Sequence, residues 1–84
     1  MEIEMFVRDR IKEIIGIKTA GELSISEDLR EHGMSSLDAI ELVVSLEMEF
    51  NIEFLEEDLM VENLCTIEKL IYVVEKYLEY KDVR

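Results

Sequence analysis

The sequence has no proline, no tryptophan, one cysteine, one histidine and three glycines among its 84 residues. A lone cysteine, Cys65, excludes an internal disulfide and gives no basis for a cysteine-built metal cluster. A single histidine, His32, leaves no His-rich metal pattern, and no calcium-loop spacing is present. Basic residues are scarce: 9 Lys and Arg stand against 21 Asp and Glu, a formal net charge of −12. Nucleic-acid binding needs a basic patch, so nucleic acid is not an expected partner. Basic protein surfaces are, with the field of the chain steering the encounter. There is no apolar run long enough to span a membrane and no signal peptide, so a cytoplasmic protein is expected. Strand-like alternation, internal repeats and low-complexity segments are all missing.

What is present is length for one domain, 1–84, with a modest core rather than a deep enzyme cleft. The apolar residues recur at helical spacing. Over 2–15, Ile3, Val7, Ile11 and Ile14 form a stripe widened by Phe6 and Ile15, and Gly16 suits a left-handed C-terminal cap. Arg8, Arg10 and Lys12, interrupted by Asp9 and Glu13, read as a solvated face. Residues 17–34 read as a long loop punctuated by Thr19, Gly21, Ser24 and Ser26. Ile17, Leu23, Ile25 and Leu29 would pin it to the bundle, and Ser26 to Leu29 could start a turn of helix. A second helix runs over 36–50 and ends at Asn51. A short helix is expected over 56–62, with Glu56, Glu57 and Asp58 suiting its dipole. Leu55, Leu59, Met60 and Leu64 would pack inward, with Ile52 and Phe54 before them. The last helix, 66–80, has Thr66 as N-cap and Ile67, Leu70, Ile71, Val74, Tyr77 and Leu78 as its core stripe. Tyr72, Tyr77 and Tyr80 are expected to pack at the surface, and Lys81 to Arg84 to fray. The expected fold is all-α: a small bundle of three main helices plus one short helix, with a long loop between the first and second.

The second helix opens on Gly33-Met34-Ser35-Ser36-Leu37-Asp38. Ser35 and Asp38 fit a capping box, in which each side chain accepts from the other residue's backbone N–H. Ser36 then stands at the first helical position with a hydroxyl the cap does not need. Free N–H groups and the positive end of the helix dipole favour an anion there, so a phosphate ester on Ser36 would be well placed. Gly33 gives the preceding turn its freedom.

On a wheel of about 100° per residue, Ala39, Leu42, Val43, Leu46 and Phe50 fall on one face as a core stripe. Leu37, Ile40, Val44 and Met48 form a second stripe on the opposite side. Glu41 lies within it, Glu47 at its edge, and Asp38 and Glu49 nearby. So short a chain cannot easily bury two opposed faces. The second stripe is therefore expected to be exposed, an apolar strip rimmed by acids and suited to docking.

The run Gly33-Met34-Ser35-Ser36-Leu37-Asp38, followed by Ile40-Glu41-Leu42-Val43 and Leu46-Glu47-Met48-Glu49-Phe50, resembles the acyl carrier protein family. The family signature is Gly-x-Asp-Ser-Leu-(Asp/Glu), then Glu-Leu-Val and an acid-rich run ending in Phe. The likeness extends to the first helix, the long loop with Asp28-Leu29-Arg30-Glu31-His32, and the last helix. It implies that Ser36 carries 4′-phosphopantetheine, attached from coenzyme A by a phosphopantetheinyl transferase, and that the arm's thiol holds acyl groups as thioesters. It implies a monomer that is no enzyme but is handled by acyl-loading and synthase enzymes with basic docking patches. Leu37, Ile40, Val44 and Met48 would centre that contact, and Asp38, Glu41 and Glu47 would meet basic residues. The family stores acyl chains in a cleft beside residues such as Phe54 and Met60, which from residue type alone read as core. Departures from the pattern are Ser35 for the usual Asp, His32 for the usual Leu, Leu55 for a common Pro, and a longer third-helix segment. They point to a specialised carrier. Met1 at the start and an end soon after the last helix fit a free-standing one.

Two other readings compete. One is a carrier of amino acids or peptides. The other is an unmodified acidic adaptor that binds a basic protein through the same helix. Catalysis by Ser36 finds no support: His32 lies across a Gly turn, with no acid evidently placed to orient it and no evident oxyanion pocket. Cys65, at a core-to-helix junction, lacks the tether to replace the arm's thiol.

Overall fold

The computed structural model describes residues 3–16 and 22–83, with backbone only at 61 and 80–83. Among the described residues there are helices and turns and no strand. Helix α1 spans Ile3–Ile15, α2 Ser36–Phe50 and α3 Ile67–Val83. Three short 3-10 turns lie in the connections, at Leu29–His32, Glu56–Asp58 and Val61–Asn63. The expected pins and turn residues Ile17, Thr19 and Gly21 lie outside the described residues, as does Arg84.

Helix α1 packs on both α2 and α3, while α2 and α3 meet each other more sparingly. Val7 and Ile11 of α1, Ala39, Leu42, Val43 and Leu46 of α2, and Ile67, Leu70, Val74 and Tyr77 of α3 are buried together. Phe50 is half-buried and meets Phe6 edge-on, ring centroids 5.6 Å apart. Val73 joins this core although the helical stripe omitted it, and Ile71 and Leu78, counted in the stripe, are only partly covered. The core of α3 is thus wider than one stripe, because both α1 and the connection from α2 pack on it.

The helix ends follow local chemistry. Gly16 sits at φ 82°, and its N–H donates to Lys12 O at 3.1 Å. Asn51 caps α2 in the left-handed region at φ 54°, a conformation its short polar side chain tolerates. Thr66 Oγ1 accepts from Lys69 N–H at 3.1 Å, and the first turn of α3 also gives its Glu68 N–H to Ile25 O at 3.0 Å. Helix α3 does not stop at residue 80; its backbone stays helical through Val83.

The loop before α2 is tied down from several sides. Leu23, Leu29 and Met34 are buried. Leu29 N–H donates to Cys65 O at 2.7 Å, and the Arg8 guanidinium donates to Leu23 O at 2.7 Å. Two expectations change here. Ile25 is an exposed residue that anchors the loop through its carbonyl, not its side chain. Arg8 is no solvated cation: it bridges α1 to the loop and pairs with Glu4 at 2.8 Å.

The expected short helix over 56–62 is replaced by the two 3-10 turns. Seven residues are too few to sustain an α-helix without a buried face. A 3-10 turn advances three residues per turn, so a stripe counted at 3.6 no longer lines up. Leu64 packs inward as expected, but Leu55, Leu59 and Met60 are 58 %, 41 % and 53 % exposed. The inward volume is taken by Ile52 and Phe54, which alternate along an extended stretch. Tyr77 is buried, not at the surface, and its ring stacks on Phe54 with centroids 5.2 Å apart. Tyr72 is exposed as expected, and the side chain of Tyr80 lies outside the described residues.

Candidate functional site at the start of the second helix

The loop reaches α2 through Gly33, in the left-handed region at φ 99°, whose N–H donates to Arg30 O at 3.3 Å. Met34 follows with its side chain in the core and its N–H on Leu29 O at 3.1 Å. These two residues fix the direction from which the chain enters the helix. Ser35 is extended, and its Oγ accepts from Asp38 N–H at 3.2 Å. Asp38 Oδ2 accepts in return from Ser35 N–H at 3.0 Å. The capping box is complete, and both of its side chains are committed to the backbone.

Ser36 is left over. It is exposed and its hydroxyl takes no part in the cap. The N–H groups of Ser36 and Leu37 make no hydrogen bond among the described residues. A phosphoester oxygen on Ser36 would therefore lie beside two unsatisfied amide donors and the positive end of α2. The exposed Ser36 hydroxyl and these donors fit a phosphate-linked group in that position.

His32 does not serve Ser36. Its Nε2 lies 3.3 Å from Glu27 Oε2, and no hydrogen bond joins it to the serine. Asp28 caps the 3-10 turn through Arg30 N–H at 2.9 Å and pairs with the Arg30 guanidinium at 2.8 Å. That guanidinium, with the backbone N–H of the same residue, holds the Asp28 carboxyl down at about 2. Among the described residues no group of three His, Cys, Asp or Glu is placed to hold a metal ion.

Along α2, Leu37, Ile40, Val44 and Met48 are 73 %, 58 %, 46 % and 78 % exposed. They form a continuous apolar strip with no helix over it among the described residues. Glu41 lies in the strip, exposed and outside every ion pair among the described residues. Asp38 and Glu47 differ from it. Asp38 is held by the capping box. Glu47 is half-buried, and its Oε2 accepts from Phe54 N–H at 2.9 Å. The capping-box reading foresaw the tie on Asp38, but the helical wheel gave no sign that Glu47 braces backbone. The brace on Phe54 reaches past the end of α2, where a count along the helix no longer applies.

A second polar cluster was missed in the same way. Tyr77 Oη donates to Asp58 Oδ2 and accepts from Leu55 N–H at 2.9 Å. Lys76 Nζ pairs with Asp58 at 3.1 Å. The phenol O–H first, then the lysine, hold the Asp58 carboxyl below the usual carboxylate range. Burial and the neighbouring carboxylate push the Tyr77 hydroxyl up.

With this geometry in hand, comparison with known proteins is specific. Residues 6–71 match the family described as phosphopantetheine attachment site. The acyl carrier protein of Buchnera aphidicola subsp. Baizongia pistaciae is 33 % identical over 79 residues, covering 90 % of this chain and 95 % of the relative. The acyl carrier protein of Bdellovibrio bacteriovorus is 38 % identical over 79 residues, with the same coverage. In fold, in the opening of α2 and in sequence, the chain belongs to the acyl carrier protein family.

Proposed function

We propose that this chain, as a single carrier domain over 1–84, bears acyl groups on a 4′-phosphopantetheine arm esterified to Ser36. The arm supplies a terminal thiol that holds acyl groups as thioesters. The protein supplies the rest: an exposed hydroxyl, two amide donors beside it, and a docking strip along the same helix. The observation that carries the assignment to Ser36, rather than Ser35, is the division of labour in the capping box. Ser35 Oγ is bound to Asp38 N–H, whereas the Ser36 hydroxyl is exposed and outside the cap.

On this reading the protein is a substrate of a phosphopantetheinyl transferase and of acyl-loading and synthase enzymes, not a catalyst. Leu37, Ile40, Val44 and Met48 form the apolar centre of docking. Glu41 is the acid best placed to meet a partner's lysine or arginine, because backbone already claims Asp38 and Glu47. A monomer in the cytoplasm, with no nucleic-acid partner, fits an acidic chain with no helix long and apolar enough to cross a membrane among its described residues.

The test is intact mass after incubation with coenzyme A, magnesium and a promiscuous phosphopantetheinyl transferase. One phosphopantetheine is expected on the wild type and on Ser35→Ala, and none on Ser36→Ala. Ser35→Ala loses a cap and should be less stable by ~1 kcal/mol while still accepting the arm. Addition lost in Ser35→Ala alone, with that variant folded by circular dichroism, would move the site by one residue.

A further inference from the structure

Among the described residues one buried side-chain nitrogen or oxygen has no hydrogen-bond partner, Nε of Arg10. The Nη1 end of the same guanidinium pairs with Glu13, so the side chain is anchored while its Nε–H stays unmet. A buried donor left unmet costs free energy and calls for an explanation. Arg10 lines a hollow of about 450 Å³ where α1 packs on α2, together with Phe6 of α1 and Ser45, Met48 and Glu49 of α2.

Met48 belongs to two surfaces at once. It is the last and most exposed residue of the apolar strip on α2, and it also forms part of the wall of this hollow. Met34 is buried, and Met5 and Met60 are exposed but do not line the hollow. An exposed thioether is open to oxidation. A peroxide passes one oxygen to the sulfur, giving the sulfoxide and water. The change turns a flexible apolar side chain into a polar one. Its new oxygen is a hydrogen-bond acceptor, the group that Arg10 Nε–H lacks, and a bond to a charged donor is among the stronger ones.

We propose that Met48 is an oxidation site that switches the strip. As a thioether it completes the apolar end of the surface that a partner covers. As a sulfoxide it turns off the strip into the hollow, where its oxygen accepts from Arg10 Nε–H. Forward, the thioether and hydrogen peroxide give sulfoxide and water: sulfur is oxidised and the peroxide O–O bond breaks. In reverse, two thiols of a methionine sulfoxide reductase reduce the sulfoxide, release the oxygen as water and end as a disulfide. The strip then loses apolar area where α2 approaches α1, and a partner that needs that area docks more weakly. The effect on docking rests on the docking reading above; the contact between oxidised Met48 and Arg10 does not.

The test treats the chain without its arm with hydrogen peroxide, so that no arm thiol competes, and follows each methionine by methyl NMR. Met48 should oxidise well before the buried Met34. As it does, the Arg10 Nε–H signal should shift in the wild type and stay in place in Met48→Leu. An unmoved signal with Met48 fully oxidised would overturn the capture by Arg10. The rate of phosphopantetheine transfer by a promiscuous transferase should fall several-fold on oxidation and recover after treatment with methionine sulfoxide reductase and a dithiol. Met48→Leu has no sulfur at this position, and its own rate should not respond to peroxide. A loss of rate that persists in Met48→Leu would place the effect at another residue and overturn the switch. Ile40→Asp, a change in the strip that involves no sulfur, separates the two readings. If it slows transfer and oxidation does not, the switch fails and the docking strip stands. If neither slows transfer, the docking reading fails and the switch fails with it.

Discussion

Single side chains do two kinds of work here. Some satisfy backbone that would otherwise be orphaned, as Ser35, Asp38, Thr66 and Glu47 do. Others are left free of that work, and Ser36 is the clearest. In a chain with 21 acids the informative carboxylates are those with fixed partners. Asp58 is one, held by the Tyr77 hydroxyl and Lys76. Its folded-state pKa is lowered from 3.8. A depressed carboxylate adds stability above its unfolded pKa and loses it as pH falls through the folded value. Asp28, held down to about 2 by Arg30, behaves in the same sense but lies in solvent, where such pairs stabilise little. The expected outcome is that Asp58→Asn is less stable than the wild type near neutral pH. The gap should then narrow as pH falls below about 4. Urea denaturation at a series of pH values measures it, and a gap that stayed constant into acid would remove Asp58 as the titrating group.

At the scale of elements, α2 carries two faces with different tasks. Ala39, Leu42, Val43 and Leu46 are buried, while Leu37, Ile40, Val44 and Met48 stand in solvent. Because Glu41 braces nothing, Glu41→Lys should leave the melting temperature within a degree or two, as surface changes usually do. It should slow modification or acyl loading by a basic partner several-fold, an effect that weakens with salt. Steady-state modification rates at low and high ionic strength check this, and unchanged rates would argue against the strip as the docking face. Both faces of α2 were legible because they depend on spacing within one helix. The same holds for the capping box, the Gly16 and Asn51 ends and the Thr66 cap, all set within four or five residues. What was not legible is non-local. Arg8 meets Leu23 across 15 residues, and Leu55 meets Tyr77 across 22. No periodicity predicts such pairs, since they exist only once the helices have packed. Leu55, Leu59 and Met60 differ from expectation for a related reason: a count of 3.6 residues per turn does not hold in a stretch that is extended up to Leu55 and then runs through two 3-10 turns.

For the molecule as a whole, charge opposes the fold it decorates. Among the described residues Arg8, Arg10, Arg30 and Lys76 each already face a carboxylate, so these cations are spent on local pairs. The excess of acids, −12 in all, is spread over a body of 38 × 25 × 20 Å. At about 0.01 M salt the screening length of ~30 Å spans most of that body, and every acid feels nearly every other. At about 0.1 M it falls to ~10 Å, and repulsion is confined to neighbours. Unfolding moves the acids apart, so repulsion weighs more on the folded state. Added sodium chloride should therefore raise the melting temperature, with most of the gain below about 0.2 M, where the screening length passes through the size of the molecule. A scanning-calorimetry series from low salt upward reads this directly. A rise that began only at molar salt would point instead to salting-out of apolar surface such as the α2 strip. A flat or falling curve would mean that the local pairs, lost on screening, outweigh the long-range repulsion.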